Sequence, residues 1–156
     1  MAIWTLYRTG KFTANLVEKN KCGRPGQNEF RYEIELCTTS LDSQNFIVDN
    51  FEIPKAFDHF RRDQFEASCE QLVAGVVLLL FKLAGGSPSN PTKTPGRSTR
   101  IKVKVMPINN ADESAGAAFE WLKGEPLPTN LPINISKQLR QSAKIAVSRK
   151  PSYARA

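Results

Sequence analysis

The order of periodic segments in this 156-residue sequence predicts an α+β fold, in which a four-stranded antiparallel sheet carries two helices on one face. Two segments in which apolar and polar residues alternate come first, over residues 3–17 and 30–37. Two segments with helical features follow, and the alternation returns over residues 101–105 and 117–122. The predicted order is therefore strand, strand, helix, helix, strand, strand.

The first two strands are separated by a polar loop, residues 18–27, that is rich in Gly and Pro. Within the first strand, Thr9-Gly10 predicts a bulge. The second strand has the cleanest pattern in the sequence, because the apolar residues from Phe30 to Leu36 alternate with charged ones. This alternation predicts one buried face and one charged face.

The two helices have recognisable starts. Pro54 is expected at the first position of one helix, where its missing N–H costs nothing. Ser68 and Gln71 have the spacing of a capping box, which would open a second helix running to about Ala84. Gly85-Gly86 would end that helix.

The second helix contains the longest apolar run, residues 72–81, about half of the ~20 residues that cross a bilayer. We therefore expect a buried helix and no membrane partner. The three-proline segment that follows, residues 85–98, is predicted to be a mobile loop. A core between helices and sheet is the expected place for five aromatic residues: Phe51, Phe57, Phe60, Phe65 and Phe81.

Charge and cysteine usage suggest how the chain is divided and where it resides. The net charge is +7, and no acidic residue follows Glu125. We therefore predict a domain over residues 1–125 and a basic C-terminal extension over residues 126–156. The odd number of cysteines, three, without a CxxC pair favours reduced thiols in a cytoplasmic protein.

Four segments resemble, in order, the 6-pyruvoyl-tetrahydropterin synthase family, whose members have the tunnelling fold. Residues 41–51 (LDSQNFIVDNF) resemble the stretch that enters the family's first helix, and residues 68–73 (SCEQLV) resemble the start of its second. Residues 101–105 and 121–125 lie where the family's last two strands belong. The resemblance implies the ββααββ tunnelling fold and copies that join through their sheet edges into a barrel.

The resemblance also implies a zinc site that this sequence does not carry. The family binds zinc through one histidine on its first strand and a His-x-His pair before the second. The matching positions here are Asn15 or Leu16 for the first, and Asn28 and Phe30 for the pair. The chain contains a single histidine, so one protomer cannot supply three. We expect neither zinc nor another cofactor.

The family's other functional groups are lost or doubtful. Its ring-binding glutamate matches a position near Pro107, and Glu113 is the nearest carboxylate downstream. Cys22 lies in the loop that holds the family's catalytic cysteine. Asp58-His59 match its Asp-His pair in type, but they lie inside the first predicted helix, where a surface pair is the favoured interpretation. We predict a degenerate site with no catalytic residue.

Two groups of basic residues are candidate contacts for anions or nucleic acid. Arg100, Lys102 and Lys104 share one strand face, although pairing with carboxylates such as Glu33 and Glu35 is favoured over a cationic stripe. In the C-terminal extension, nucleic-acid binding competes with docking on another subunit or protein, or with a role in solubility. The basic residues of this extension are Lys137, Arg140, Lys144, Arg149, Lys150 and Arg155.

Three functional hypotheses follow from these features. The first is a non-catalytic oligomeric binding or structural protein that partners with itself through its sheet edges. The second is a nucleic-acid-binding ring or filament that uses the basic strand face and the extension. The third is a metal-free tunnelling-fold enzyme that acts on a pterin- or purine-like ring.

Overall fold

The computed structural model describes residues 2–16, 26–62, 64–65, 68–108 and 116–128. Within these ranges the chain forms five strands and two helices, in the predicted order with one short strand added between the helices. The elements are β1 (Trp4–Leu16), β2 (Gly26–Thr38), α1 (Glu52–Arg62), β3 (Gln64–Phe65), α2 (Cys69–Leu83), β4 (Ser98–Pro107) and β5 (Ala117–Leu122).

The sheet has the order β3-β1-β2-β4-β5. The four long strands are antiparallel to their neighbours, as predicted, whereas the two-residue β3 pairs in parallel with Asn15 and Leu16 of β1. The predicted bulge at Thr9-Gly10 is wrong, because the register between β1 and β2 runs without a shift from Trp4 to Leu16. The sheet's irregularity lies instead between Cys37 and Thr38, where β2 meets β4.

Alternation along the strands gives the sheet two different faces. The face that packs against α1 and α2, here called the helix face, carries the buried apolar side chains of all four long strands. The opposite face, here called the open face, carries mostly polar and charged side chains. Phe57, Phe60 and Phe81 lie in the core as predicted, whereas Phe51 is 80% exposed, so its predicted burial is wrong.

Local sequence signals explain the starts of both helices. The capping box is present: Ser68 Oγ accepts from the backbone N–H of Gln71, and the Gln71 side chain accepts from the backbone N–H of Ser68. Pro54 is the third residue of α1 and not the first, because that helix already begins at Glu52. Both positions precede the first obligatory intrahelical N–H donor, so proline is tolerated at either.

The segment after α2, predicted as a mobile loop, is hydrogen-bonded across its base. Gly86 and Pro95 form an isolated bridge, and the backbone N–H of Ser87 donates to Thr94 O over 2.8 Å. Gly96 has φ +69°, and a Cβ there would lie 2.5 Å from the backbone nitrogen of Gly86. The close approach of two backbones therefore requires glycine at residue 96.

The cysteines are not all reduced, and the prediction of three free thiols is wrong for Cys69. Cys69, the first residue of α2, is disulfide-bonded, whereas Cys37 is a buried free thiol. Sequence spacing alone does not reveal such a bond, because folding brings together cysteines that are far apart in the chain. The cytoplasmic location stays a prediction.

In the described part of the chain, no helix has the length and apolar character that crossing a membrane requires. Packing against the core continues a little beyond the sheet, since Leu127 is partly buried against it. The division of the chain at residue 125 stays a prediction.

Candidate functional site

The resemblance to the synthase family singled out positions for zinc binding and for ring binding. The structure brings three of them together: Asn28, Phe30 and Pro107. Phe30 on β2 lies directly opposite Pro107 on β4, and Asn28, two residues before Phe30, lies on the same face of the sheet. Asn28 is 3% exposed and Phe30 is fully buried. Asn15 is different: its neighbour Ala14 is the residue opposite Asn28, so Asn15 points to the open face. Of the two alternatives for the first-strand position, Asn15 or Leu16, Asn15 therefore does not share the face of Asn28 and Phe30.

An aromatic cluster fills the helix face around these positions. Phe12 lies opposite Phe30, and the two rings stack with centroids 5.2 Å apart. Phe57 from α1 stacks on both Phe12 at 4.8 Å and Tyr32 at 4.5 Å, and Phe60 packs at the side of Phe12 at 5.8 Å. Stacked and tilted rings at these separations form a dense apolar core around Phe30.

The residues at these positions do not fit a zinc ion. Zinc in proteins is bound by imidazole, thiolate or carboxylate groups, and neither phenylalanine nor proline provides one. Residues 12 and 14, which share the face with residues 28 and 30, are Phe and Ala. Across the described ranges, no group of three His, Cys, Asp or Glu residues is placed to hold a metal. Asp58 is an exposed residue of α1, and Cys22 and Glu113 lie outside the described residues.

Tyr32 connects the aromatic cluster to the edge of the sheet. It lies opposite Gly10, and a Cβ on Gly10 would be only 2.5 Å from the Tyr32 hydroxyl oxygen. Arg8 Nε donates to that hydroxyl over 3.1 Å, and Arg8 Nη1 donates to Asn50 Oδ1 over 2.6 Å. Gly10 thus permits a tyrosine ring to lie flat on the strand. The chain of hydrogen bonds attaches the loop before α1 to β1.

The open face carries the predicted strand cations, but carboxylates alternate with them. Lys102 on β4 lies between Glu35 on β2 and Glu120 on β5, and Lys104 lies opposite Glu33. Opposite charges on neighbouring strands attract one another. The predicted pairing with Glu33 and Glu35 therefore describes this surface better than a cationic stripe.

Arg100 joins three strands of the open face. Its Nε donates to Glu120 Oε1 over 2.9 Å, and its Nη1 lies 3.2 Å from Glu35 Oε2. The hydrogen bond from Arg100 lowers the pKa of Glu120, and the positive charges of Arg100 and Lys102 act in the same direction. Both carboxylates are therefore paired with Arg100, so the positive charge of Arg100 attracts an external anion only weakly.

The charges of the open face nearly cancel, with five cations and four anions on its described strands. The cations are Lys11, Arg31, Arg100, Lys102 and Lys104, and the anions are Glu29, Glu33, Glu35 and Glu120. A surface balanced in this way attracts a polyanion only weakly. The basic residues of the C-terminal extension, from Lys137 to Arg155, lie outside the described residues.

Sequence reasoning missed the roles of Gly10 and Glu120. A glycine inside a strand indicates either a bulge or a close approach by another group, and the second alternative applies at Gly10. Glu120 was not expected to pair with Arg100, because only the register between β4 and β5 places the two near each other.

The fold is that of a known tunnelling-fold protein. The structure matches the crystal structure of a putative dihydroneopterin aldolase (FolB) from Vibrio cholerae with a TM-score of 0.51 and 10% sequence identity. The match covers 79% of this chain and 98% of that chain. No protein-family model matches the sequence, and no curated protein matches it either. At this identity the likeness shows the tunnelling fold alone, and the resemblance to the synthase branch stays a prediction.

Proposed function

We propose that this chain is a non-catalytic, oligomeric binding or structural protein built on the tunnelling fold. The observation that carries the proposal is the aromatic cluster at the positions that match the family's zinc ligands and ring anchor. Phe30 and Pro107 face each other there, and Phe12 stacks on Phe30. Replacing ligands by close-packed rings removes the metal chemistry and strengthens the core, as expected for a scaffold that has kept its fold and lost its reaction.

The topology of the sheet supports the proposed self-association through the sheet edges. On the outer side of β1, from Trp4 to Ala14, and on the outer side of β5, no strand of the described chain forms a pair. Unpaired edges of this length are templates for pairing with another strand. Because β1 and β5 run in opposite directions, rotating one copy onto the next would join them as an antiparallel pair. Repetition of this joint would give a ring where the rotation between copies closes, and a filament where it does not.

Two measurements on the full chain test this function together. Sedimentation velocity reports whether the 17.4 kDa protomer assembles, and a thermal-shift screen with dihydroneopterin, other pterins and guanine nucleotides reports ring binding. The proposal expects a stable assembly and no shift. A protomer that remains monomeric at micromolar concentration would overturn it.

A metal-free enzyme acting on a pterin-like ring is the second candidate, and the fold match to a protein named as an aldolase favours it. In that case dihydroneopterin should stabilise the protein. At a hundred times its Kd, a ligand adds about 2.7 kcal/mol of stability, or roughly 5–10 °C in Tm for a chain of this size. A shift of that size would replace the first proposal by this one.

The nucleic-acid hypothesis now depends on the C-terminal extension, because the open face is nearly neutral. The extension has six basic residues, so a plot of the logarithm of the association constant for duplex DNA against the logarithm of the salt concentration should have a slope no steeper than about −5. Deleting residues 133–156 should abolish the binding. Affinity that is independent of salt, or unchanged by the deletion, would refute a role for this extension.

A further inference from the structure

Exposed apolar side chains are concentrated at one edge of the sheet. Among the residues that the structure describes, seven large hydrophobic side chains are exposed, and five of them lie on or just before β1 or in the loop bonded to it. These five are Ile3, Trp4, Tyr7, Phe46 and Phe51. Apolar side chains gathered beside an unpaired strand edge are typical of a protein-protein contact.

The loop that presents Phe46 and Phe51 is held in a fixed conformation. Asp42 Oδ1 accepts from the backbone N–H groups of Gln44 and Phe46, each over 2.9 Å. Asp49 Oδ1 accepts from the N–H of Phe51 over 3.0 Å. These bonds fix the backbone while Phe46 stays 53% and Phe51 80% exposed. A preorganised apolar surface loses little entropy when it binds.

A hydrogen bond attaches this loop, at the residue before Phe51, to the helix face of β1. Asn50 accepts a 2.6 Å hydrogen bond from Arg8, which belongs to the helix face of β1. Tyr7, 72% exposed, projects from the open face of the same strand. A strand that pairs with β1 would therefore have Tyr7 on one side and the loop of residues 42–52 on the other.

We propose that the loop of residues 42–52 is a second contact in the joint between copies of this chain, with Phe46 and Phe51 packing on the neighbouring copy. The inference rests on the edge-to-edge assembly proposed above. In each copy, β5 packs beside α2. A neighbour that docks through its β5 therefore presents its own α2 on the side where the loop lies.

Features of β5 favour a second copy as the occupant of this edge. Leu122 of β5 is 48% exposed and lies on the open face, as Tyr7 does. The unpaired edges of β1 and β5 also run in opposite directions, so a neighbour's β5 can form an antiparallel ladder with β1. We therefore assign the joint to β1 and the neighbour's β5.

Sedimentation equilibrium on four variants of the full chain tests the inference. Phe46→Ser and Phe51→Ser remove the loop contact, and Leu122→Lys places a charge on the β5 edge. Ile108→Ser is the control, because Ile108 is an exposed apolar residue, 39% accessible, at the end of β4 and away from β1. Each loop substitution is expected to weaken association about tenfold or more, and the control to leave it unchanged.

The outcomes separate this inference from the function on which it rests. If Leu122→Lys dissociates the assembly while Phe46→Ser and Phe51→Ser leave its Kd unchanged, edge pairing stands and the loop contact is overturned. If the loop substitutions alone weaken it, the loop contact stands and the β5 edge is wrong. A wild-type chain that never associates overturns both. Circular dichroism of each variant must first show the wild-type spectrum, and Phe46→Leu and Phe51→Leu replace any variant that does not.

Discussion

Replacing Gly10 by alanine should destabilise the protein, although glycine is an unfavourable residue in a strand. The added Cβ would lie 2.5 Å from the Tyr32 hydroxyl oxygen and 2.6 Å from Cζ, whereas carbon atoms in contact prefer about 3.5–4.0 Å. The ring must therefore move by about 1 Å. It is only 3% exposed, stacks on Phe57 at 4.5 Å and accepts a hydrogen bond from Arg8, so it has little room to move.

The net effect follows from three contributions. Overpacking a close-packed core costs about 1–3 kcal/mol. Loss of the bond from Arg8 to Tyr32 adds about 0.5–1.5 kcal/mol. Against these, alanine restricts the unfolded chain and contributes about 0.4–1 kcal/mol of stability. We expect Gly10→Ala to lower the free energy of unfolding by about 1–3 kcal/mol, which lowers Tm by roughly 3–10 °C.

Urea unfolding measures this change, and Thr9→Ala on the same strand is the matched control. In a double-mutant cycle with Tyr32→Leu, the cost of Gly10→Ala should largely disappear, because the shorter side chain vacates the space above residue 10. A neutral or stabilising Gly10→Ala would refute the reasoning. An equal cost in both backgrounds would show that the ring of Tyr32 is not the cause.

Three further outcomes are expected. Ser68→Ala should reduce the free energy of unfolding by about 1 kcal/mol in urea titrations, because the capping box with Gln71 is lost; an unchanged midpoint would contradict this. Carboxyl NMR spectra should show that the pKa of Glu120 lies below its ordinary value of 4.5, and Arg100→Met should raise that pKa. Because the pKa is lowered in the folded state, Glu120 contributes stability at pH values above its ordinary pKa. That contribution is lost as the pH falls through the folded-state pKa. Burial lowers the pKa of Lys82 from 10.5 to about 8, so its contribution should raise stability between pH 8 and 10.5, and Lys82→Met should abolish that rise in pH-dependent unfolding.

Most of the fold could be predicted from the sequence because strong local signals determine it. The alternation in β2 separates an apolar face from a charged one, and the capping box marks the start of α2. The signals that failed were ambiguous or absent. Two residues are too few to show alternation, so β3 was missed, and the exposure of Phe51 results from the path of the loop before α1.

Less of the candidate site could be predicted, because it depends on register and on faces. Asn28, Phe30 and Pro107 do come together, whereas Asn15 lies on the other face. A shift of one residue along a strand places the side chain on the opposite face of the sheet. The charge balance of the open face could not be predicted without knowing how the four strands pair. A sequence gives the charges on each strand, but only the register decides which of them meet.

The charge pattern and the aromatic cluster together limit where this protein can bind a partner. Anionic ligands approaching the open face would meet Glu33, Glu35 and Glu120 between the cations, and Arg100 is already paired with two of these carboxylates. The helix face is filled by the protein's own core. Among the described surfaces, the two sheet edges are therefore the ones that combine unpaired backbone groups with exposed apolar side chains. A partner that supplies a strand would satisfy both at once, and this is why we propose a second copy of this chain as the partner.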